Sequence, residues 1–220
     1  MKFLVPLGAF LFFTTFGLAD DWVVLEGCRL VKSDYADGDS FHVIHRGKNL
    51  HLRLYAVDCP ETDDRFKDRL RSQARYFKVN RATLLAAGQR AHDFTAGQLA
   101  SPFTVITRWQ DAEGASQQQR FFGLVKTAAG RDLGELLVGA GWARAYGAPA
   151  DYPNTAAATR MRNQLDDLES TARSKRLGIW GMSKVTANPS PRPNSPPADR
   201  PEKDGDLTDD FIDTLNDLTR

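Results

Sequence analysis

Between Trp22 and Lys126, short apolar or β-branched runs are broken by turn signals. Each run reads as a β-strand: WVVLEGCRLV, SFHVIH, LHLRLYAV, FTVITRW and FFGLVK. Arg46-Gly47-Lys48-Asn49 marks a turn between the second and third runs. In the third run, period two puts Leu50, Leu52, Leu54 and Ala56 on one face and His51, Arg53, Tyr55 and Val57 on the other. Arg53 is thereby displayed away from the expected core. Five strands of this length suffice for a small closed barrel, so the expected class is mainly β with helices, α+β.

The residues between the third and fourth runs, Asp63 to Ser101, divide in two. The second half, LLAAGQRAHDFTAGQLA, is rich in Ala, Leu and Gln and predicts a helix. The first half carries Arg65, Lys67, Arg69, Arg71, Arg75, Lys78 and Arg81 against Asp68, with Phe66, Tyr76 and Phe77 interleaved. Farther on, DLGELLVGA predicts a short helix closed by Gly141, and TRMRNQLDDLESTARSKR a longer one ending at Gly178. About three helices are expected, with Ile179 and Trp180 docking back on the core.

The two ends differ from the middle. Residues 1–19, MKFLVPLGAFLFFTTFGLA, read as a signal peptide cut after Ala19, implying a secreted or periplasmic protein. The apolar run is short for a bilayer span, so membrane attachment is expected only if the leader stays uncleaved. From Val185 the chain turns Pro-rich and acidic, so residues 20–184 form the expected domain and 185–220 a disordered tail. Leu207, Phe211, Leu215 and Leu218 recur there at roughly helical spacing, a contact point if the tail has a partner; no stable protein partner is otherwise indicated. Residues 20–184 hold 24 basic and 20 acidic residues, a mild excess that fits a polyanion and does not demonstrate one. Export would let Cys28 and Cys59 form a disulfide, but the sequence leaves that pairing open.

Two acidic stretches carry the chemistry, Asp37-Gly38-Asp39-Ser40 before the second strand and Asp58-Cys59-Pro60-Glu61 after the third. Hard cations such as calcium take several oxygen ligands, and carboxylates from separate loops at one barrel end can supply them. Asp37-Gly38 alone reads as a turn. Arg53, five residues before Asp58, and Arg120, at the head of the fifth strand, change that balance, because guanidinium forks fit phosphate oxygens bidentately.

With these residues the chain resembles the staphylococcal nuclease, or thermonuclease, family. The resemblance runs from about Cys28 to Trp180 on four motifs in the family's order: Asp37-Gly38-Asp39-Ser40, Leu52 to Glu61, Arg120 to Val125, and Leu177-Gly178-Ile179-Trp180. It implies an OB-fold five-stranded β-barrel and a Ca2+-dependent endonuclease acting on DNA or RNA with low sequence specificity. The products would carry 3′-phosphate and 5′-hydroxyl ends. By resemblance, Asp39, Asp58 and the backbone carbonyl of Cys59 are calcium ligands, and Asp37 is an acid behind them. Glu61 holds or deprotonates the attacking water, while Arg53 and Arg120 grip the scissile phosphate.

Three places depart from the family pattern. Ser116-Gln117-Gln118-Gln119 stands where a Lys and a Tyr near the terminal phosphate are expected. Tyr146, in a loosely matching stretch, is either a substrate contact or a packing residue. The basic segment 65–81 is longer than the family's loop, and Arg69, Arg71 and Arg75 are read as a nucleic-acid clamp or as a solvated helix face. The four histidines are read as structural or surface residues, His42 and His45 because they point to opposite strand faces and His51 and His92 because they have no obvious partners, and Trp142 and Trp180 as core or helix-docking residues. The rival functional class is a catalytically inactive OB-fold module that binds nucleic acid; a weaker one is an extracellular structural protein using its acidic loops for calcium.

Overall fold

The computed structural model describes residues 22–32, 37–112 and 119–182. The expected leader and tail lie outside the described residues, as do Ser116, Gln117 and Gln118. Five strands close a barrel in the order β1 (Val23–Val31), β2 (Ser40–His45), β3 (Lys48–Leu54), β6 (Phe121–Lys126) and β5 (Phe103–Thr107). All neighbours are antiparallel except β3 and β6, which run parallel. Counting barrel strands alone, the order 1-2-3-5-4 with a parallel third and fifth strand is the OB arrangement.

Local chemistry fixes the hairpin and the bend. His45 pairs with Lys48 around Arg46-Gly47, whose φ angles of +48° and +77° make the left-handed pair a two-residue hairpin requires. In β1 the register shifts between Leu25 and Cys28, a bulge that curves the strand around the barrel. Phe41, Val43, Leu52, Leu54, Phe103, Val105 and Val125 fill the interior.

The period-two reading of the third strand holds only to Leu54. Tyr55 and Ala56 form a turn, with Ala56 at φ +55°, and the chain resumes as the short β4 (Val57–Asp58), paired with β7 (Arg144–Ala145). Tyr55, Ala56 and Val57 are all buried, because the turn carries the chain off the barrel wall and under the helices. This turn delivers Asp58 to the barrel mouth instead of continuing the wall.

Among the described residues five helices stand where about three were expected. The addition that matters is α1 (Lys67–Phe77), inside the basic segment; α2 (Arg81–Gln98), α3 (Leu133–Gly139), α4 (Thr155–Ser174) and the single turn α5 (Ile179–Met182) follow. Leu70, Ala74 and Phe77 share one face of α1 and pack with Leu84, Ala87, Ala172, Ile179 and Trp180. Asn80 caps α2 by accepting from Thr83 N at 2.8 Å, and Asp132 caps α3 by accepting from Glu135 N at 3.1 Å. Trp180 is buried and Trp142 packs against both clusters, in the core as expected. Among the described residues no helix is long and apolar enough to cross a membrane.

Candidate functional site

The first ends of β2 and β6 meet the last end of β3 at one barrel mouth, and the acidic stretches lie there. Ser40 pairs with Arg53 across β2 and β3, and Arg53 with Phe122 across β3 and β6, so Arg120 approaches from the neighbouring strand. Arg120 Nη1 donates to Ser40 Oγ at 3.3 Å. Leu54 N donates to Asp39 O at 2.9 Å and ties the first acidic stretch to the end of β3.

The carboxylates converge. Asp39 Oδ2 accepts from Cys59 N at 2.8 Å and from Arg53 Nη2 at 3.4 Å. Asp58 Oδ1 accepts from the same Arg53 Nη2 at 3.0 Å and from Arg69 Nη2 at 3.1 Å. Its Oδ2 accepts from Gln73 Nε2 at 3.0 Å and Arg144 Nε at 2.9 Å. Glu61 Oε1 pairs with Arg69 Nη2 at 2.7 Å. Asp39, Asp58 and Glu61 are all buried, so their charges act through a medium that screens them weakly.

The electrostatics follow from that crowding. Burial pushes the Glu61 carboxyl up to about 7; Arg69 opposes the rise while Asp39 and Asp58 add to it. Burial, then Asp39, raises the Asp37 carboxyl well above the usual carboxylate range. Asp39 first, with Asp58 and Asp37, holds Arg53 firmly charged against the effect of its own burial. Desolvation and the nearby Arg53 lower Arg120, as expected for two guanidiniums converging on one place.

Among the described residues no group of three His, Cys, Asp or Glu side chains stands ready to enclose a metal. The donor chemistry nonetheless suits a hard cation. Asp37 Oδ1 and Asp39 Oδ1 are buried oxygens without a hydrogen-bond partner, and such groups are costly unless something positive meets them; Glu61 Oε1 is already met by Arg69. Cys59 cannot contribute sulfur: its thiol is buried against Gly38, and burial pushes it well above the usual thiol range. Its carbonyl accepts from Gln73 Nε2 at 2.9 Å, which leaves one lone pair open. Cys28 and Cys59 are both free; the Cys28 thiol donates to Leu25 O at 3.3 Å within its own strand.

The arginines of the basic segment do not share one face of α1. Arg69 reaches the carboxylates, but Arg71 pairs with Asp68 on the exposed side of α1 and Arg75 is exposed. Arg69 and Arg71 are two positions apart, close to opposite sides of a helix. With Lys67 and Arg81, Arg71 instead lines a separate groove of about 410 Å³. Tyr146 is 58% exposed and lies one contact from the site, its ring 4.3 Å from the Arg144 guanidinium.

Two site residues, Gln73 and Arg144, were not anticipated. Gln73 sits on the apolar stripe of α1 between Leu70, Ala74 and Phe77, and an uncharged polar residue there is the signal that could have found it. Arg144 comes from β7, and nothing in its local sequence points to Asp58, 86 positions away. One histidine reading also changes: His42 and His51 face each other across β2 and β3 and stack at 4.2 Å.

The chain matches the family model described as staphylococcal nuclease homologue over residues 51–182, a span holding Arg53, Asp58, Glu61 and Arg120. Asp37, Asp39 and Ser40 lie before the matched span, yet the fold brings them against it. No curated protein matches the chain. With the match covering more than half of the sequence and the barrel in the OB order, the chain belongs to the family of staphylococcal nuclease homologues.

Proposed function

We propose that the protein is a Ca2+-dependent endonuclease that hydrolyses DNA or RNA phosphodiesters with low sequence specificity and leaves 3′-phosphate and 5′-hydroxyl ends. The observation that carries this reading is the pair of buried carboxylate oxygens without hydrogen-bond partners, on Asp37 and Asp39, gathered with Asp58 and Glu61 beside Arg53 and Arg120 at one barrel mouth. A module that only bound nucleic acid would have no use for such costly oxygens.

Asp39, Asp58 and the Cys59 carbonyl are the residues that would hold calcium, with Asp37 behind them. Bound there, calcium supplies positive charge that lowers the repulsion between a phosphodiester and an incoming water. Arg53 is fixed by the Nη2 contacts to Asp39 and Asp58, which hold its guanidinium where a phosphate beside the carboxylates would meet it, and Arg120 approaches from the adjacent strand. Two fixed guanidiniums stabilise the pentacoordinate state more than the ground state. Glu61 takes the proton of the water. Export follows from the leader-like residues 1–19 and is part of the same proposal.

One observation favours the rival, a catalytically inactive nucleic-acid-binding module: both oxygens of Asp58 are already met by Arg53, Arg69, Arg144 and Gln73. Digestion of single-stranded DNA and RNA with calcium or with chelator, followed by analysis of the product ends, separates the two. Calcium-dependent cutting to 3′-phosphate ends is expected. Binding without cutting at any calcium concentration would make the rival the better description.

A further inference from the structure

Helix α1 aims one stripe at the carboxylates. Arg69, Gln73 and Tyr76 fall at i, i+4 and i+7, and each meets the site or its support. Arg69 reaches Asp58 and Glu61, Gln73 reaches the 58–61 segment, and the Tyr76 hydroxyl reaches Glu169, which also accepts from Ala145 N next to Arg144. Gln73 is the member that water barely touches, at 1% exposure.

Its amide group bonds to three groups of the 58–61 loop. Oε1 accepts from Glu61 N at 3.0 Å, and Nε2 donates to Cys59 O at 2.9 Å and to Asp58 Oδ2 at 3.0 Å. One side chain therefore fixes the rotamer of Asp58, the tilt of the Cys59 peptide and the path of the chain into Glu61. Glutamate at this position could not donate to the two oxygens, and an apolar residue would leave the buried Glu61 N–H without an acceptor.

We infer that Gln73 is the positioning residue of the site: through it, α1 holds Asp58, Cys59 and Glu61 in the geometry that binds the cation and activates water. The inference rests on the nuclease reading and goes beyond it, because it gives the segment 65–81 a part in building the site in place of a clamp on distant backbone. Gln73 touches neither substrate nor water in this account. Its effect passes through the three groups it holds.

The test uses the full chain and two variants. Gln73→Met keeps the volume and loses all three hydrogen bonds, whereas Gln73→Glu keeps an acceptor for Glu61 N and loses the two donors. Three readouts are taken: calcium affinity by calorimetry without nucleic acid, hydrogen exchange of the Glu61 amide, and kcat against KM on single-stranded DNA. Gln73→Met should weaken calcium binding and lower kcat by about 10- to 100-fold, the range for residues that orient metal ligands, with KM within a few-fold and Glu61 exchange at least tenfold faster. Gln73→Glu should keep the Glu61 amide protected and still lose kcat, a split that filling space alone would not produce.

Unchanged calcium affinity, kcat and Glu61 exchange in folded Gln73→Met would overturn the inference, as would Gln73→Glu with wild-type kcat. If Gln73→Met fails to fold, Gln73→Glu alone decides. If the wild type neither binds calcium nor cuts, the nuclease reading has failed by itself. Glu61 exchange then decides whether Gln73 holds the loop: acceleration in Gln73→Met supports it, and no change overturns it.

Discussion

Gly88 of α2 faces the backbone of Glu61 so closely that a Cβ on Gly88 would stand 2.1 Å from the Glu61 carbonyl oxygen and 2.8 Å from that of Pro60. Backbone, unlike a flexible side chain, cannot swing away, so the helix and the loop carrying Glu61 lie at a distance only glycine permits. Inside an ordinary helix, Gly→Ala would stabilise by about 0.5–1 kcal/mol. Gly88→Ala should instead destabilise by about 1–3 kcal/mol, the usual cost of overpacking. Cleavage should fall about 100-fold, as expected when a site is displaced by about an ångström. Denaturant melts and a cleavage assay on one preparation check both signs.

Arg144 is held on three sides: its Nε donates to Asp58 Oδ2 at 2.9 Å, and its guanidinium lies 4.8 Å from the Tyr76 ring and 4.3 Å from the Tyr146 ring. Arg144→Leu leaves the buried Asp58 with fewer donors and should cost about 2 kcal/mol, the scale of a hydrogen bond to a charged group. Lysine should not rescue it, because an ammonium has neither the planar Nε–H nor the flat face that stacks on tyrosine. Urea unfolding of the leucine and lysine variants measures this.

The basic residues of α1 should separate by function. Arg69→Ala removes the ion pairs to Asp58 and Glu61 and should lower kcat by tenfold or more, at the low end of the range for a charged group at a reacting centre. Arg71→Ser with Arg75→Ser leaves the carboxylates untouched and should change kcat less than twofold. Any effect of that pair should appear in KM and its salt dependence, since those side chains could meet only outlying phosphates. Steady-state kinetics at several salt concentrations read both.

Burial, with His42 and Arg120, lowers His51 from 6.5 to about 4. A histidine kept neutral in the fold takes up its proton more readily when unfolded, so its contribution to stability is present above pH 6.5. That contribution is lost as the pH falls from 6.5 toward 4. Because His51 is only partly buried, solvent screening reduces the effect to about 1–2 kcal/mol. Relative to His51→Gln, the wild type should lose that much stability between pH 7 and pH 4, measured by denaturant unfolding at each pH.

The barrel was legible because its strands are bounded by explicit turn chemistry and its interior follows period two from Phe41 through Leu54. Asp39, Arg53, Asp58, Glu61 and Arg120 were singled out by the two acidic stretches, the two arginines and the family resemblance, and they come together because each sits within a few residues of a strand end at one mouth. The break after Leu54 was not, since the positive φ of Ala56 is imposed by tertiary packing that local propensity does not report. Helix α1 was obscured by its charge: seven basic residues between 65 and 81 hid the Leu70, Ala74 and Phe77 stripe that makes it a packed helix. Gln73 and Arg144 act across 15 and 86 positions, and sequence separation carries no trace of such contacts.

In the proposed activity the carboxylates and arginines at the barrel mouth cut nucleic acid. Single-turnover cleavage of single-stranded DNA by the wild type and Glu61→Gln in calcium, with binding measured on the same strand, tests it most directly. Removing one charged catalytic group should slow cutting by roughly 100-fold or more and leave binding within a few-fold. Equal cutting by Glu61→Gln, or no cutting by the wild type in calcium, would contradict it.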